Sequence, residues 1–440
     1  MTESGGPAST GSRMLVLAVI LVGFGAGFVK SFDRAPAGFF QPRSVGKDVD
    51  GEPHFETRFV SGGETPHTHA PSLVELSDGS IRAFWVGGSR EGALDAEVHT
   101  AVFLPGHGGW RREPSAAIPS STRKSLRRHV KKLGNPVAVR AANGEIWLFY
   151  VTITVGGWGG SSVTMTTSTD DGKTWTPARR LITTPFFNLG TLVKGTPFLY
   201  DDGTLGLPVY HEMIGKFGEL LRLGKTGAII DKQRVSSGKH SLQPVVLAQS
   251  HREAIVLLRY AGSQPPKRVL RASTDDGGQH WSPPEKSALS NPNSALSGVV
   301  LADGRILVAL NDIESDRDQL SLVTSHDGGV TWKTVTKLED QSRVPGQPPD
   351  RARFLETAGA LVRDSDGTVP NPGDYARAAS VQMCREAGCG FEFSYPYLIQ
   401  ARNGEIHLAY TWNRSFIKHV QFNQAWLDRR LSDTGNDRLH

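Results

Sequence analysis

One unit recurs six times in this chain and limits what it can fold into: an apolar run opened by Pro or a small residue, a turn pairing Asp or Asn with Gly, and a second apolar run. The copies span residues 71–84 (turn at Asp78 and Gly79), 136–149 (Asn143, Gly144), 197–207 (Asp202, Gly203), 296–310 (Asp303, Gly304) and 396–408 (Asn403, Gly404), and in 244–258 Ser250, His251 and Arg252 replace the turn glycine. Asp-Gly and Asn-Gly supply the positive φ that tight two-residue hairpins need, so each unit reads as a hairpin. Six hairpins about one blade apart predict an all-β, six-bladed β-propeller over residues 55–430. The 49 glycines and 26 prolines fit many short strands better than long helices.

A second motif interleaves with the first: Ser168-x-Asp170-x-Gly172-x-x-Trp175, Thr274-x-Asp276-x-Gly278-x-x-Trp281 and Ser325-x-Asp327-x-Gly329-x-x-Trp332. This is the Asp box, a turn between a blade's outer strands. Its Asp accepts turn N–H groups, its Gly turns left-handed and its Trp packs into the blade. These Asp residues read as structural. A degenerate fourth copy would end at Trp110. The spacing breaks once, at about 343–390, where a Pro-, Gly-, Asp- and Arg-rich stretch reads as an insertion on one propeller face, an irregular loop or lid.

Outside the repeats, residues 14–29 form an apolar or Gly stretch between Arg13 and Lys30. It reads as a signal anchor or a cleaved signal peptide over 1–30, which would export the rest, followed by a linker at 31–54; residues 431–440 read as a tail. The two cysteines, Cys384 and Cys389, can close a small disulfide in an oxidising compartment, and no nearby His completes a metal site. A net charge of +5 is too mild to indicate nucleic-acid binding, and the basic run 123–132 reads as a solvated loop between repeats. No nucleotide-binding motif occurs and no cofactor is expected.

Asp boxes in step with six hairpins resemble the sialidase (neuraminidase) superfamily over about residues 55–425. The closer resemblance is to its BNR-repeat, predicted-sialidase branch of bacteria and plants. That likeness is carried by His69-Ala-Pro-Ser-Leu, Gly134-Asn-Pro-Val, Lys194-Gly-Thr-Pro, Asn291-Pro-Asn-Ser, Ser394-Tyr-Pro-Tyr-Leu and residues 410–419. The resemblance implies an axial site in which three arginines clamp a carboxylate, an Asp is acid/base, and a Tyr nucleophile is activated by a Glu. Matched position by position, Asp95, following Ser89, Arg90 and Glu91, takes the acid/base place. Tyr395 takes the nucleophile's and Arg259 that of a clamp arginine.

The departures are specific. His69 stands where the first clamp arginine is expected, Thr411 where its Glu partner is expected, and Gln243 where the activating Glu is expected. The third arginine has no clear position, since Arg363, Arg377 and Arg385 all fall in the insertion. Gln243 cannot accept a proton, which leaves His69, His67, His211, Glu212 or Glu91 to substitute. Asn413, Arg414 and His419 are expected on the same face. The expectation is an exported exo-glycosidase acting on a terminal, acidic sugar. The alternatives are a non-catalytic propeller that binds surface polysaccharide and a His-dependent glycosidase or lyase acting on uronic-acid glycans.

Overall fold

A computed structural model describes residues 10–32, 38–42, 51–104, 109–184, 188–342 and 347–436. The chain forms two compact units, Met1–Ala37 and Gly38–His440. Within the first, Thr10–Phe32 is one helix. Among the described residues no helix is long and apolar enough to cross a membrane, so the expected anchor is not supported.

The second unit is a propeller of six antiparallel sheets. Blade one is His67–Glu75, Ile81–Gly88, Glu97–Phe103 and Trp110–Ala117. Blade two is Lys132–Arg140, Ile146–Ile153, Ser161–Ser168 and Arg179–Arg180. Blade three starts with Thr191–Val193 and Phe198–Leu199 and continues through Leu205–His211, Phe217–Leu223 and Ile229–Arg234. Blade four is Ser241–Ala248, Ala254–Tyr260, Arg268–Thr274 and Glu285–Ser290. Blade five is Ser297–Val300, Ile306–Leu310, Gln319–Ser325 and Lys333–Asp340. Blade six is Phe393–Gln400, Ile406–Trp412 and Phe416–Phe422, completed by Phe55–Phe59 from the other end of the propeller sequence.

The inner hairpins differ in detail from the two-residue form. Leu76 N donates to Ser80 O (2.7 Å) and Gly79 N to Leu76 O (3.2 Å), leaving three residues in the loop. Ser80 N also bonds Asp78 Oδ1 (2.9 Å), and Gly79 has φ +85°. The same bonds recur around Gly144, Gly203, Gly304 and Gly404. This is a type I turn closed by a left-handed glycine, the usual three-residue hairpin.

The Asp boxes form as expected. Asp170 Oδ1 accepts from Ser168 Oγ (2.7 Å) and Thr174 N (2.9 Å). Hydrogen bonds from the Thr174 hydroxyl, then its amide, and from Ser168 hold Asp170 well below the usual carboxylate range. Trp175, Trp281 and Trp332 are half-buried and pack where their own blade meets the preceding one. Trp175 meets Phe84 of blade one edge-on at 5.8 Å, Trp281 joins the cluster around Phe40 and Leu220, and Trp332 joins that of Val245 and Leu247. The turn before Trp110 lies outside the described residues.

From residue 351 onward the insertion is regular structure, not an irregular loop. Arg351–Ser365 and Pro372–Met383 are helices, followed by a two-residue-strand hairpin closed by the Cys384–Cys389 disulfide. Phe354, Ala358, Val362, Ala376 and Ala379 bury against Phe59, Trp412 and Phe416, so the insertion is a packed flank of blade six. Three other readings change. Residues 119–126 of the stretch around the basic run are a helix, Pro119–Leu126, and Lys132 already belongs to blade two. Part of the expected linker is docked: Phe40 is fully buried, its N donates to His251 O (2.8 Å), and its ring stacks on Tyr200 at 5.6 Å. The expected tail continues a helix, Gln424–Asn436.

Candidate active site

The innermost strand of a blade carries a bulge at the same place in four blades. The pairing register skips Ala70 and Pro71, Asn135 and Pro136, Gln243 and Pro244, and Tyr395 and Pro396. The residue before each proline is left-handed without being glycine: Ala70 (φ +54°), Asn135 (+39°), Gln243 (+50°) and Tyr395 (+53°), as is Asn293 (+61°) in blade five. Such a backbone costs about 1–3 kcal/mol per residue and persists where surroundings over-determine it, commonly at functional sites. A bulge also re-aims a side chain out of the strand's alternation. Here it aims Gln243 and Tyr395 at each other across the axis.

The Tyr395 hydroxyl receives Arg259 Nη1 (3.4 Å) and Gln243 Nε2 (3.5 Å). Arg259 also donates to Gln243 Oε1 (3.1 Å) and, through Nε, to Asn293 Oδ1 (2.7 Å). Neither Arg259 nor Gln243 can take the phenolic proton. The ring of His69 lies 4.1 Å from that of Tyr395, and His67 is 5.8 Å further on. Burial, reinforced by His67, Arg317 and Arg414, pushes the His69 imidazole well below its usual value, so it is neutral, and its Nδ1 has no hydrogen-bond partner among the described residues. Lys194 is buried beneath, 5.8 Å from the centroid of Tyr395 and 4.9 Å from that of Tyr397. Its ammonium reaches Pro71 O (3.2 Å) and Pro396 O (3.5 Å), and burial pulls its pKa down to about 7.

A second cluster adjoins. The buried Glu392 carboxylate accepts from Arg414 Nε (2.6 Å), Arg317 Nη1 (3.4 Å) and Ser394 Oγ (2.7 Å). Burial works against its ionisation, but Arg414 and Arg317 keep its pKa low. Arg414 Nη1 reaches Glu91 of blade one at 3.5 Å. Arg259, Arg317 and Arg414 thus come from blades four, five and six: Arg259 near the end of its second strand, Arg317 and Arg414 in the turns between the second and third strands. Sequence reading missed Arg317 and Glu392. For Arg317 the signal was its place in the loop between a blade's second and third strands, where Arg414 lies one blade later.

The remaining candidates divide. Asp95 is exposed and accepts from Ser89 N (3.2 Å) and Ser89 Oγ (3.0 Å), closing its own turn. It also lies over Gly88, where a Cβ would come within 3.2 Å of its Oδ1, and Gly88 pairs with His67. Arg90 and Glu91 are exposed on that turn. Asn413 is buried and works on the backbone: its Oδ1 accepts Glu392 N (2.9 Å). His419 does not share the site. It pairs with His407 (3.0 Å) inside blade six and meets Trp110 of blade one at 5.0 Å, because it faces the blade interface. Glu212 follows the second strand of blade three. Tyr210, two residues earlier, has its hydroxyl bonded by Asn135 (3.2 Å) and Gln243 (3.4 Å). Burial raises the Glu212 pKa, Arg259 and Lys216 oppose the shift, and its carboxylate bonds no described residue. Among the described residues no cluster of His, Cys, Asp and Glu could hold a metal ion.

Solved structures share this architecture at low identity, which speaks to fold alone. A Hadza microbial sialidase, Hz136, is 14% identical with TM-score 0.60, over 84% of this chain and 68% of its own. The K499G mutant of NanB sialidase from Streptococcus pneumoniae is 10% identical with TM-score 0.57, over 88% and 71%. The intramolecular trans-sialidase from Ruminococcus gnavus is 12% identical with TM-score 0.57, over 84% and 97%. No curated protein matches. The family model of the BNR repeat-like domain matches residues 79–408, most of the propeller, and the chain therefore belongs to that family, as a sialidase-like propeller.

Proposed function

We propose that this protein is an exo-glycosidase that removes a terminal acidic sugar from a glycan at the axial funnel. The observation that carries the reading is the meeting of Tyr395, Arg259 and Gln243 beside a group of arginines from blades four to six. Arg259, with Arg317 and Arg414, holds the sugar's acid group, since guanidinium pairs recognise carboxylates in a bidentate fork. Tyr395 is the nucleophile, and Asp95, at the mouth beside His67, is the general acid. Gln243 orients the phenol without activating it. We assign the proton to Glu212, two residues after Tyr210, whose hydroxyl shares Gln243 with Tyr395; the half-buried Glu212 carboxylate bonds no described residue, and burial raises its pKa in the direction that suits a base. The Cys384–Cys389 disulfide supports placing the propeller outside the cytoplasm.

A second reading has its own observation. A neutral His69 with an unbonded Nδ1 beside Tyr395 suits proton abstraction next to a uronic carboxylate, which is elimination rather than hydrolysis. Incubating the protein with aryl glycosides of acidic sugars and with uronic-acid polysaccharides separates the readings. Hydrolysis releases a saturated acidic sugar, and elimination leaves an ultraviolet-absorbing unsaturated end. Turnover that is lost in Tyr395→Phe is the expected result. Binding of these glycans with no turnover across the panel would instead make the propeller a glycan-binding module.

A further inference from the structure

The mouth of the funnel is built by the loops that follow each blade's second strand, and its halves differ in chemistry. The strand ends share one rim, because each pairs with the start of its innermost strand: Gly88 with His67, Ile153 with Lys132, His211 with Thr191, Tyr260 with Ser241 and Trp412 with Phe393. Blades four to six bring Arg259, Arg317 and Arg414 to it. Blades one to three bring large apolar side chains into water: Leu94 is 61% exposed, Val155 74%, Met213 54% and Ile214 86%.

The loops that carry these residues are neighbours. The Lys132 ammonium lies 4.5 Å above the half-buried Trp158 ring, three residues after Val155. The same ammonium fills the space beside Gly92, two residues before Leu94, where a Cβ would come within 2.6 Å of it. A Cβ on Gly159 would stand 3.8 Å from Met213 Cα, so the loops of blades two and three touch. His211 Nε2 accepts Ile214 N at 3.2 Å, which holds that loop in place and leaves the Ile214 side chain outside. Exposed apolar side chains gathered on neighbouring loops at the rim of a polar site mark a binding surface rather than scattered exposure.

We infer that this apolar half of the mouth takes the apolar aglycone of an acidic glycoside whose acid group sits on the arginines opposite. The inference rests on the proposed reading of the arginine side as the anion-binding half. The two halves face one funnel, so a ligand seated on the arginines and leaving through the mouth must cross blades one to three. Charge and polarity then fix the polarity of the ligand: acid inward, hydrocarbon outward.

Calorimetry of the full chain with methyl and octyl glycosides of N-acetylneuraminic and glucuronic acids, and with octyl glucoside below its micellar concentration, tests this. An octyl acid should bind about tenfold or more tightly than its methyl counterpart, the gain expected from burying a few methylenes. The pair Met213→Ser and Ile214→Ser should abolish that gain and leave the methyl glycoside's affinity unchanged. Equal affinity of methyl and octyl acids would overturn the inference while sparing the anion site. Octyl glucoside binding as tightly as the octyl acids would overturn the two-part ligand. Failure of every acidic glycoside would remove the anion reading and this inference with it.

Discussion

Glu212 and Lys194 are the two ionisable residues whose surroundings shift them most informatively around Tyr395. If Glu212 is the proton acceptor, Glu212→Gln should lower turnover by about 10²–10⁴-fold and remove the acidic limb of the pH–rate profile, while glycoside affinity stays unchanged. Adding Gln243→Glu to that variant should restore part of the rate, because the carboxylate then stands directly on the phenol; a double variant as dead as the single one would exclude the role. Lys194 makes a separate prediction about stability. Its folded pKa of about 7 lies below that of a free lysine, so between about 7 and 10.5 the unfolded chain binds the extra proton. Stability from this group therefore rises with pH across that window, and its burial cost is full below it. Lys194→Met should raise the urea midpoint at pH 7 by a shift worth a few kcal/mol and flatten the slope toward pH 10; an unchanged slope would mean the amine does not titrate there. The grouping of His69, Gln243, Arg259 and Tyr395 was legible through the family resemblance, and through the repeat for Gln243 and Tyr395, which sit at the same bulge in blades four and six. Glu392 was not, because it sits against the non-repeating insertion, where no blade offers a template. Lys194 stands in the sequence only as part of a motif, since nothing in Lys-Gly-Thr-Pro says that the side chain ends beneath two tyrosines.

Among elements, the repeats were readable because their turn chemistry is local, whereas interfaces between blades are not. The Asp-box tryptophans show the difference. The turn bonds around Asp276 and Asp327 follow from sequence, but that Trp281 and Trp332 wedge against the preceding blade depends on the curvature of the whole ring. The insertion is a different case, because its signals were present. Asp350 caps its first helix by accepting Arg353 N (2.8 Å), and Phe354, Ala358 and Val362 repeat at helical spacing. Its Pro and Arg content hid them. Blade against blade is joined by polar chemistry that sequence could not locate: between blades five and six, buried Lys418 and Tyr410 both bond Glu339 Oε1 at 2.6 Å. Removing one partner of a buried pair strands the other, at a cost of about 3–5 kcal/mol. Lys418→Met should therefore destabilise the propeller by that order in denaturant unfolding, while Lys418→Met with Glu339→Gln should recover most of it. A single variant with wild-type stability would show that the pair is not buried in solution.

At the scale of the molecule, the ring is closed by a strand from the far end of its own sequence. Phe55–Phe59 pairs with Phe416–Phe422 through five residue pairs, from Phe55 with Phe422 to Phe59 with Lys418. Further anchors hold the junction: Val60 N reaches Ile417 O (2.8 Å), Ile417 N reaches Ser61 Oγ (2.9 Å), and Phe59 packs on Trp412 and Phe416. Without this strand, blade six would expose a whole edge of unpaired backbone, the usual template for aggregation. Phe40 closes a different seam, seated between Tyr200 of blade three and the chain at His251 of blade four. The helix Thr10–Phe32 belongs to a separate compact unit. A truncation series should resolve these three contributions. Removing residues 1–37 should leave the unfolding midpoint of the propeller unchanged. Removing 1–42 should lower stability by about 3–5 kcal/mol, the cost of emptying a buried phenylalanine site, with cooperative unfolding preserved. Removing 1–60 should abolish the cooperative transition and produce soluble aggregates by light scattering, since it opens the ring as well as emptying the Phe40 site. A chain lacking 1–60 that stays monomeric and unfolds in one step would show that blade six is complete with three strands, and that closure is not what holds the funnel together.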